Sequence, residues 1–193
     1  MTAEWAQGEK VDVYYNGSLL GTLTAEESGA TSTLSGTVNA DALPENPDLL
    51  TLRFPSKEAA NESDYVWSYL GQNGSLETVA SNYDYAVASL TNILVDTDNK
   101  EITISDEDVE VSNEQSIYRF SFKNAPSSVK FITIFSAKER LVGSRSITNN
   151  VWGSNYASLT VTPSSVGEYY VAIRNENTES NDTYTFSVVD NDN

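Results

Sequence analysis

Two acidic segments of the chain hold the side chains best suited to bind a metal ion or to act as paired acids. The segment DTDNKE at 96–101 places oxygen ligands at alternate positions, as calcium loops do. Lys100 stands where a third ligand belongs and no glycine follows at the turn, so we expect a polar turn without a metal site. Paired carboxylates such as those of Asp106 and Asp108 could in principle flank a glycosidic bond, although nothing marks these two as special. With 28 acidic residues in the chain such pairs arise by chance, and neither segment predicts catalysis.

The residue types that most enzymes use for nucleophilic or metal chemistry are missing. The sequence contains no cysteine and no histidine. This excludes disulfides, thiolate nucleophiles, Ser-His-Asp triads and every Cys/His metal site. We therefore expect a protein that is not an enzyme and that binds no cofactor.

Aromatic side chains are the remaining candidates for ligand contact. The chain has three tryptophans and eleven tyrosines, whose flat rings can stack on sugars. Trp152 lies in the loop-like segment NNVWGSNY at 149–156, together with Tyr156. We take these two residues as a candidate ligand platform. Packing inside a core is the alternative, because aromatic residues at alternating strand positions usually point inward.

The charge of the chain restricts its partners. The net charge is −17, which repels nucleic acids and anionic membrane surfaces. Residues 1–114 hold 21 acidic and 4 basic residues, whereas residues 115–174 hold 7 basic and 2 acidic ones. No run of about 18 apolar residues is present, so nothing in the sequence predicts a membrane span.

The elements that must position these residues are short strands. Apolar and polar residues alternate over many short runs rich in Val, Ile, Thr, Tyr and Phe, which predicts β-strands. Asn16-Gly17 separates two such runs and predicts a hairpin, since both residues tolerate positive φ. Regular turns between many short strands indicate an all-β sandwich or barrel. The clearest runs are KVDVYY (10–15), LLTLRF (49–54), SIYRFSF (116–122), VKFITIFS (129–136), EYYVAIR (168–174) and DTYTFSVV (182–189).

The pattern of one segment predicts a helix. In GSLETVASNY at 74–83, Leu76, Val79 and Ala80 recur at helical spacing, and Ser75 can cap the first turn. We expect one short helix here, inside a long connection from about residue 55 to 84.

The change in charge also suggests a domain boundary. Residues 96–114 hold eight acidic residues and one lysine, and the charge balance changes sign just after them. We predict an acidic N-terminal domain at 1–110, which includes the helix, and a C-terminal domain at 111–193. A fragment of residues 112–193 is then expected to fold by itself.

Three segments in order resemble fimbrillin-like proteins, the surface-fibre and adhesin family of certain Gram-negative anaerobes. The opening EWAQGEKVDVYYNG resembles the family's W-x-x-G-D/E-x-[IV]-x-V start, with Trp5, Gly8, Glu9, Val11 and Val13 at those positions. LRFPSKE at 52–58 is similar to a family strand that ends in an aromatic–Pro pair. GQNGSLETVASNYDYAVASL at 71–90 resembles a Q-x-G-[TS]-L segment followed by a short helix, and SIYRFSFKNAP then fits the first strand of a second domain.

This resemblance implies a fold and a role. The implied fold is two tandem antiparallel β-sandwich domains of transthyretin/immunoglobulin-like type. The implied role is a non-catalytic cell-surface protein in pilus assembly or adhesion, either a fimbrial subunit or an accessory tip protein. It implies location at the outer membrane or fimbrium, with membrane attachment only through a lipid anchor on an upstream segment. A carbohydrate-binding surface module of a glycan-capture system is the alternative function.

Assembly of such subunits implies strand addition between pilus subunits, or contact with a host or microbial surface ligand. The candidate donor strand is TYTFSVV at 183–189, in which Tyr184, Phe186 and Val188 share one face. The alternative is an ordinary closing strand of its own domain. A basic patch of Lys130, Lys138, Arg140 and Arg145 could also attract the acidic first half of another subunit.

Overall fold

The computed structural model describes residues 4–45, 47–56, 66–96, 101–104, 109–121, 129–147, 151–163, 167–174 and 182–190. Within these ranges the chain forms β-strands joined by turns, together with one α-helix and one short 3₁₀ turn at Ala40–Ala42. The protein is all-β, as the alternating pattern predicted. No helix in the described part of the chain is long and apolar enough to cross a membrane.

The chain divides into two compact units that are not consecutive in sequence. The first unit contains residues 1–65 and 85–113, and the second contains 66–84 and 114–193. The predicted division at residue 110 lies close to residues 113–114, where the chain passes for the last time from the first unit to the second. The prediction placed 66–84 in the N-terminal domain; in the structure, strand pairing and buried hydrogen bonds connect that segment to later strands.

The first unit is built on one antiparallel sheet of six strands with the order β3-β2-β1-β4-β6-β9. A separate hairpin, β7–β8, packs apolar side chains against the core of this unit. The strands are β1 (Lys10–Tyr15), β2 (Ser18–Ala25), β3 (Leu34–Val38), β4 (Leu50–Phe54), β6 (Ala86–Leu90), β7 (Ile93–Asp96), β8 (Glu101–Ile104) and β9 (Ser112–Asn113).

The predicted hairpin between β1 and β2 is confirmed. Asn16 and Gly17 form its turn with φ values of 46° and 82°, the left-handed conformation that this residue pair favours. Val11 and Val13 point to the core face of β1, where they join buried leucines of β2 and β4.

The opposite face of β1 is also buried, and it is polar. Asp12 and Tyr14 are 1% and 3% exposed, and Arg53 of β4 is 3% exposed. The Arg53 guanidinium lies 4.2 Å from the centre of the Tyr14 ring, and Thr22 donates a 2.9 Å hydrogen bond to Asp12. Burial and the neighbouring Asp12 carboxylate raise the pKa of Tyr14 to about 12.

The second unit contains four smaller antiparallel sheets. Their orders are β10-β17, β16-β11-β18, β12-β15 and β14-β13-β5. The elements are β5 (Val66–Ser68), α1 (Leu76–Asn82), β10 (Ser116–Ser121), β11 (Val129–Ser136), β12 (Leu141–Val142), β13 (Ser144–Ser146), β14 (Val151–Trp152), β15 (Asn155–Tyr156), β16 (Ser158–Val161), β17 (Glu168–Ile173) and β18 (Tyr184–Asp190).

The core of this unit lies where side chains of β11 and β16 meet those of β17. Ile132 and Ile134 of β11 are fully buried, as are Val161 of β16 and Val171 of β17. These positions alternate along each strand, so one face of each strand supplies the core.

The helix α1 is confirmed, but it belongs to the second unit rather than to the N-terminal domain. Ser75 caps it, as predicted: its hydroxyl accepts a 3.1 Å hydrogen bond from the Thr78 N–H. Val79 is the buried residue of the helix.

The segment before α1 forms hydrogen bonds with β17. Gln72 is 1% exposed, and its side-chain amide donates to the carbonyls of Tyr69 (2.8 Å) and Ala172 (2.7 Å). Its side-chain carbonyl accepts from the Ala172 N–H at 2.8 Å. Two positions later, the Gly74 carbonyl accepts a 2.8 Å hydrogen bond from Tyr170. Residues 72–74 therefore satisfy main-chain groups along one side of β17.

Candidate functional site

Three short strands of the second unit align two tryptophans and an arginine in one row. Arg145 of β13 lies directly opposite Trp67 of β5 on one side and Trp152 of β14 on the other. Directly opposed residues of antiparallel strands point to the same face, so the three side chains are neighbours. The Arg145 guanidinium carbon lies 5.5 Å from the Trp67 ring centre and 4.5 Å from that of Trp152. Both distances lie within the range of a cation–π interaction.

A carboxylate neutralises part of this cluster. Glu114 Oε1 lies 3.3 Å from Arg145 Nη1, and Glu114 Oε2 lies 2.7 Å from Arg174 Nη1. Burial lowers the pKa of Arg145, and the nearby Glu114 opposes this effect. An arginine side chain stays protonated in proteins, so the cluster carries two positive charges and one carboxylate.

Arg174 is the more accessible of the two arginines. Its guanidinium carbon lies 4.6 Å from the centre of the Trp152 ring, and its side chain is 30% exposed, against 12% for Arg145. Its Nη1 also donates a 2.7 Å hydrogen bond to the main-chain carbonyl of Glu114. Within the described residues its Nε and Nη2 atoms make no hydrogen bond.

Tyr156 lies on the same face as Trp152. The pairs Leu141–Tyr156 and Arg145–Trp152 have the same register although their strands belong to two sheets. Alternation therefore places all four side chains on one side of the paired segments 141–146 and 151–156. The Tyr156 ring leans over Gly143, where an added Cβ would come within 2.1 Å of Cε2 of the ring. The absence of a side chain at Gly143 therefore lets the ring lie against the backbone, and Tyr156 remains 41% exposed.

The predicted platform residues lie on the same face of the segment 151–156, four positions apart and in unequal settings. Trp152 is half-buried, and the guanidinium groups of Arg145 and Arg174 both lie against its ring. Tyr156 presents the more exposed ring. The sequence reasoning missed Trp67, Glu114 and Arg174 as members of this cluster. It also placed Arg145 in a surface basic patch, whereas its side chain is 12% exposed.

The predicted donor strand is paired within its own unit. β18 pairs antiparallel with β11, with Phe186 opposite Ile134 and Val188 opposite Ile132. Tyr184 packs against the core of the unit. This is the arrangement of a closing strand, the alternative to donation.

Phe186 and Val188 nevertheless remain unusually exposed for residues on an inward face. They are 42% and 38% exposed although their partners on β11 are fully buried. Phe186 contacts Phe120 of β10 with ring centres 4.9 Å apart, and Phe120 stacks with Tyr118, which is 39% exposed. Among the residues that the structure describes, β10 and β18 are each the outer strand of a sheet, so these side chains lie along two outer strands. We call Tyr118, Phe120, Phe186 and Val188 the seam.

Several residues that carry the family resemblance lie where packing or backbone conformation in the first unit restricts the residue type. The Trp5 ring packs edge-on against Phe54 with ring centres 5.7 Å apart, which joins the opening motif to the aromatic–Pro motif. The Phe54–Pro55 peptide bond is cis. Gly8 has a φ of 90°, a conformation that favours glycine, and the Glu9 carboxylate accepts a hydrogen bond from the Ala6 N–H.

Two of the acidic features considered for chemistry lie outside the described residues. These are positions 97–100 of the predicted polar turn and the pair Asp106 and Asp108. Where the structure does describe the chain, no group of three or more Asp or Glu side chains is arranged to hold a metal ion.

Comparison of the chain with protein-family models, with curated proteins and with solved structures finds no match in any of the three. The described residues define the class as an all-β protein of two units, one of which carries an arginine–aromatic cluster and an apolar seam.

Proposed function

We propose that this protein is a non-catalytic cell-surface protein that acts in fibre assembly or adhesion, as a fimbrial subunit or an accessory tip protein. In this proposal its two units are tandem β-sandwiches and its location is extracytoplasmic. The resemblance to fimbrillin-like proteins motivates the class. The structure also gives a reason for the residue type at three motif positions. Trp5 packs against Phe54, Gly8 has a positive φ, and Gln72 forms hydrogen bonds with β17.

The observation that carries the proposal is the seam. Tyr118, Phe120, Phe186 and Val188 lie on the inward faces of two outer strands but keep much of their apolar surface in water. An outer strand offers main-chain hydrogen bonds to an added strand, and exposed apolar side chains beside it offer contacts for alternate residues of that strand. We propose that the seam receives a strand from another subunit. β18 is then part of the acceptor, which reverses the donor role expected for it.

The charge distribution supports contact between unlike ends of two copies. The acidic first 114 residues of one copy would be attracted to the segment 115–174 of another, in which basic residues predominate. A contact between different surfaces of identical chains repeats without closing, which suits a fibre.

A pair of matched phenylalanines provides the test. Phe186 and Phe135 are both 42% exposed and lie on adjacent strands. Phe135 points to the outer face, because its position alternates with the buried Ile134. We expect light scattering to show oligomers that grow with protein concentration, and Phe186→Lys to abolish them while Phe135→Lys leaves them intact. A strict monomer at every concentration and salt level would contradict the proposal, as would equal effects of the two variants.

A second candidate function is carbohydrate binding, and one observation favours it. The Tyr156 ring lies over Gly143 with 41% of its surface exposed, on the same face as Trp152, whose ring contacts the partly exposed Arg174. Exposed aromatic rings beside a few polar groups are typical of sugar-binding surfaces.

A further inference from the structure

The free edge of Arg174 has the geometry of a carboxylate receptor. Its Nη1 is occupied by Glu114, whereas Nε and Nη2 make no hydrogen bond within the described residues. The Nε and Nη2 hydrogens project in parallel from one edge of the guanidinium plane, and this fork fits the two oxygens of a carboxylate. Stacking on Trp152 at 4.6 Å holds the plane of the group in place.

The charge of the cluster favours an anion. Arg145 and Arg174 both lie beside the Glu114 carboxylate, so this one carboxylate is divided between two guanidinium groups. Of the two, Arg174 presents more of its charge to solvent, because its side chain is 30% exposed and that of Arg145 only 12%. A ligand carboxylate at the Nε–Nη2 edge of Arg174 would meet this exposed positive charge.

The exposed aromatic ring approaches the same stretch of backbone as Arg174. The Val142 N–H donates a 3.0 Å hydrogen bond to the Arg174 carbonyl, and the Tyr156 ring covers the adjacent Gly143. The Tyr156 hydroxyl makes no hydrogen bond to any residue that the structure describes. Tyr156 thus presents a ring face with a free hydroxyl over the backbone segment that also binds the main chain of Arg174.

We propose that Arg174 and Tyr156 form a subsite for a carboxylated sugar, either a hexuronate or a sialate. The carboxylate binds the Nε–Nη2 edge of Arg174, and the sugar ring stacks on Tyr156. Trp152 is a positioning residue that holds Arg174, and it does not itself stack on the sugar. This proposal rests on the second candidate function and adds its ligand class.

The test is a titration of the ¹⁵N-labelled full chain with matched sugars, followed by NMR through the indole N–H of Trp152. Methyl β-glucuronide and methyl β-glucoside differ only in the carboxylate, methyl α-sialoside is the second acidic probe, and acetate controls for a simple anion. We expect both acidic sugars to shift the Trp152 signal and to bind about tenfold or more tightly than the glucoside or acetate, since a charge-assisted fork is lost without the carboxylate.

Two variants test the location of the site. Arg174→Gln is expected to remove the preference for the acidic sugars, and Tyr156→Leu is expected to weaken binding of every sugar. Arg119→Gln is the matched control, because Arg119 is an exposed arginine of the same unit that also pairs with a carboxylate, that of Glu168. Tyr156 is exposed, so Tyr156→Leu keeps the test decisive even if Arg174→Gln disturbs folding.

The outcomes separate the ligand class from the function. Equal binding of glucuronide and glucoside would overturn the carboxylate subsite and leave carbohydrate binding in place. Acetate binding as tightly as the acidic sugars would overturn the role of the sugar ring. No binding of any sugar would overturn both this proposal and the second candidate function. Binding that survives both Arg174→Gln and Tyr156→Leu would overturn the location. Fibre assembly is tested separately at the seam.

Discussion

Replacing Gln72 perturbs the attachment of the segment 66–84 to the second unit. The Gln72 side chain makes three buried hydrogen bonds, of which two go to Ala172, a residue with no exposed surface. In Gln72→Met the side chain keeps a similar length but makes none of them. The Tyr69 carbonyl and both main-chain groups of Ala172 then lose these partners inside the unit.

The cost follows from the burial of these groups. A buried polar group left without a partner costs about 1–3 kcal/mol, so the two main-chain groups of Ala172 alone amount to roughly 2–6 kcal/mol. The whole free energy of unfolding of a domain is typically about 5–15 kcal/mol. We therefore expect Gln72→Met to remove a large part of the stability of the second unit.

Gln72→Glu distinguishes a hydrogen-bond effect from a packing effect. The substitution keeps the shape and the acceptor oxygen, but it replaces the donor that faces the carbonyls of Tyr69 and Ala172. Burial and these carbonyl oxygens would raise the pKa of the new carboxyl group above that of an unfolded glutamate, about 4.3. The variant is therefore least impaired at low pH. Its stability falls by up to about 1.4 kcal/mol per pH unit as pH rises from 4.3 towards its raised pKa.

Urea unfolding at pH 5.5 and 7.5 measures how the stability of each variant changes with pH. Both pH values lie above the sequence pI of about 4.1. The indole N–H signals resolve the two units, because Trp5 belongs to the first and Trp67 to the second. Exposed Gln7 supplies the controls Gln7→Met and Gln7→Glu. The reasoning is refuted if Gln72→Met costs less than about 1 kcal/mol at the Trp67 signal. It is also refuted if Gln72→Glu is no more pH-dependent than Gln7→Glu.

Three further predictions follow from buried or shared groups. The pKa of Tyr14 is raised from 10.0 to about 12, so its contribution is present below pH 10 and is lost as pH rises through 12; alkaline unfolding should show a loss of about 2–3 kcal/mol that is absent in Tyr14→Phe. Burial raises the pKa of Asp84 above 3.8, and a hydrogen bond from Gln115 opposes this effect, so the folded state loses stability as pH rises through that raised pKa. Asp84→Asn should therefore raise the melting temperature at pH 7 and have less effect as the pH falls towards 3.8, and an unchanged melt at both pH values would contradict this. A fragment of residues 112–193 lacks the segment 66–84 and, against the expectation from charge alone, should show no cooperative melt by circular dichroism until 66–84 is linked to it; a stable isolated fragment would contradict the division into units.

Some local features of both units could be predicted from short stretches of sequence. β1 and β11 have the predicted bounds, because alternation over six to eight residues is a strong signal for a strand. The turn at Asn16-Gly17 and the cap at Ser75 depend on neighbouring residues alone.

The burial of Asp12 could not be predicted from the alternation of apolar and polar residues in β1. Alternation assigns Val11 and Val13 to the core face and Asp12 to the other, and this division is correct. It gives no indication that the other face is buried as well, with Arg53 and Tyr14 beside the carboxylate. Burial of a polar face depends on what covers it, and that information lies in other parts of the chain.

The candidate site depends almost entirely on tertiary structure. Trp152 and Tyr156 could be selected from sequence because they lie close together in a segment rich in small polar residues. Trp67 and Arg174 could not, because they join the cluster through strand pairing and contacts with residues far away in sequence. Composition alone limited the chemistry, since a chain without cysteine and histidine lacks the usual nucleophiles and bases. Alternation and turn residues determined the all-β class, because the period of two is a property of the extended backbone itself. Only the fold decided that 66–84 completes the second unit, since long-range pairing depends on complementary hydrogen bonds and packing rather than on local pattern.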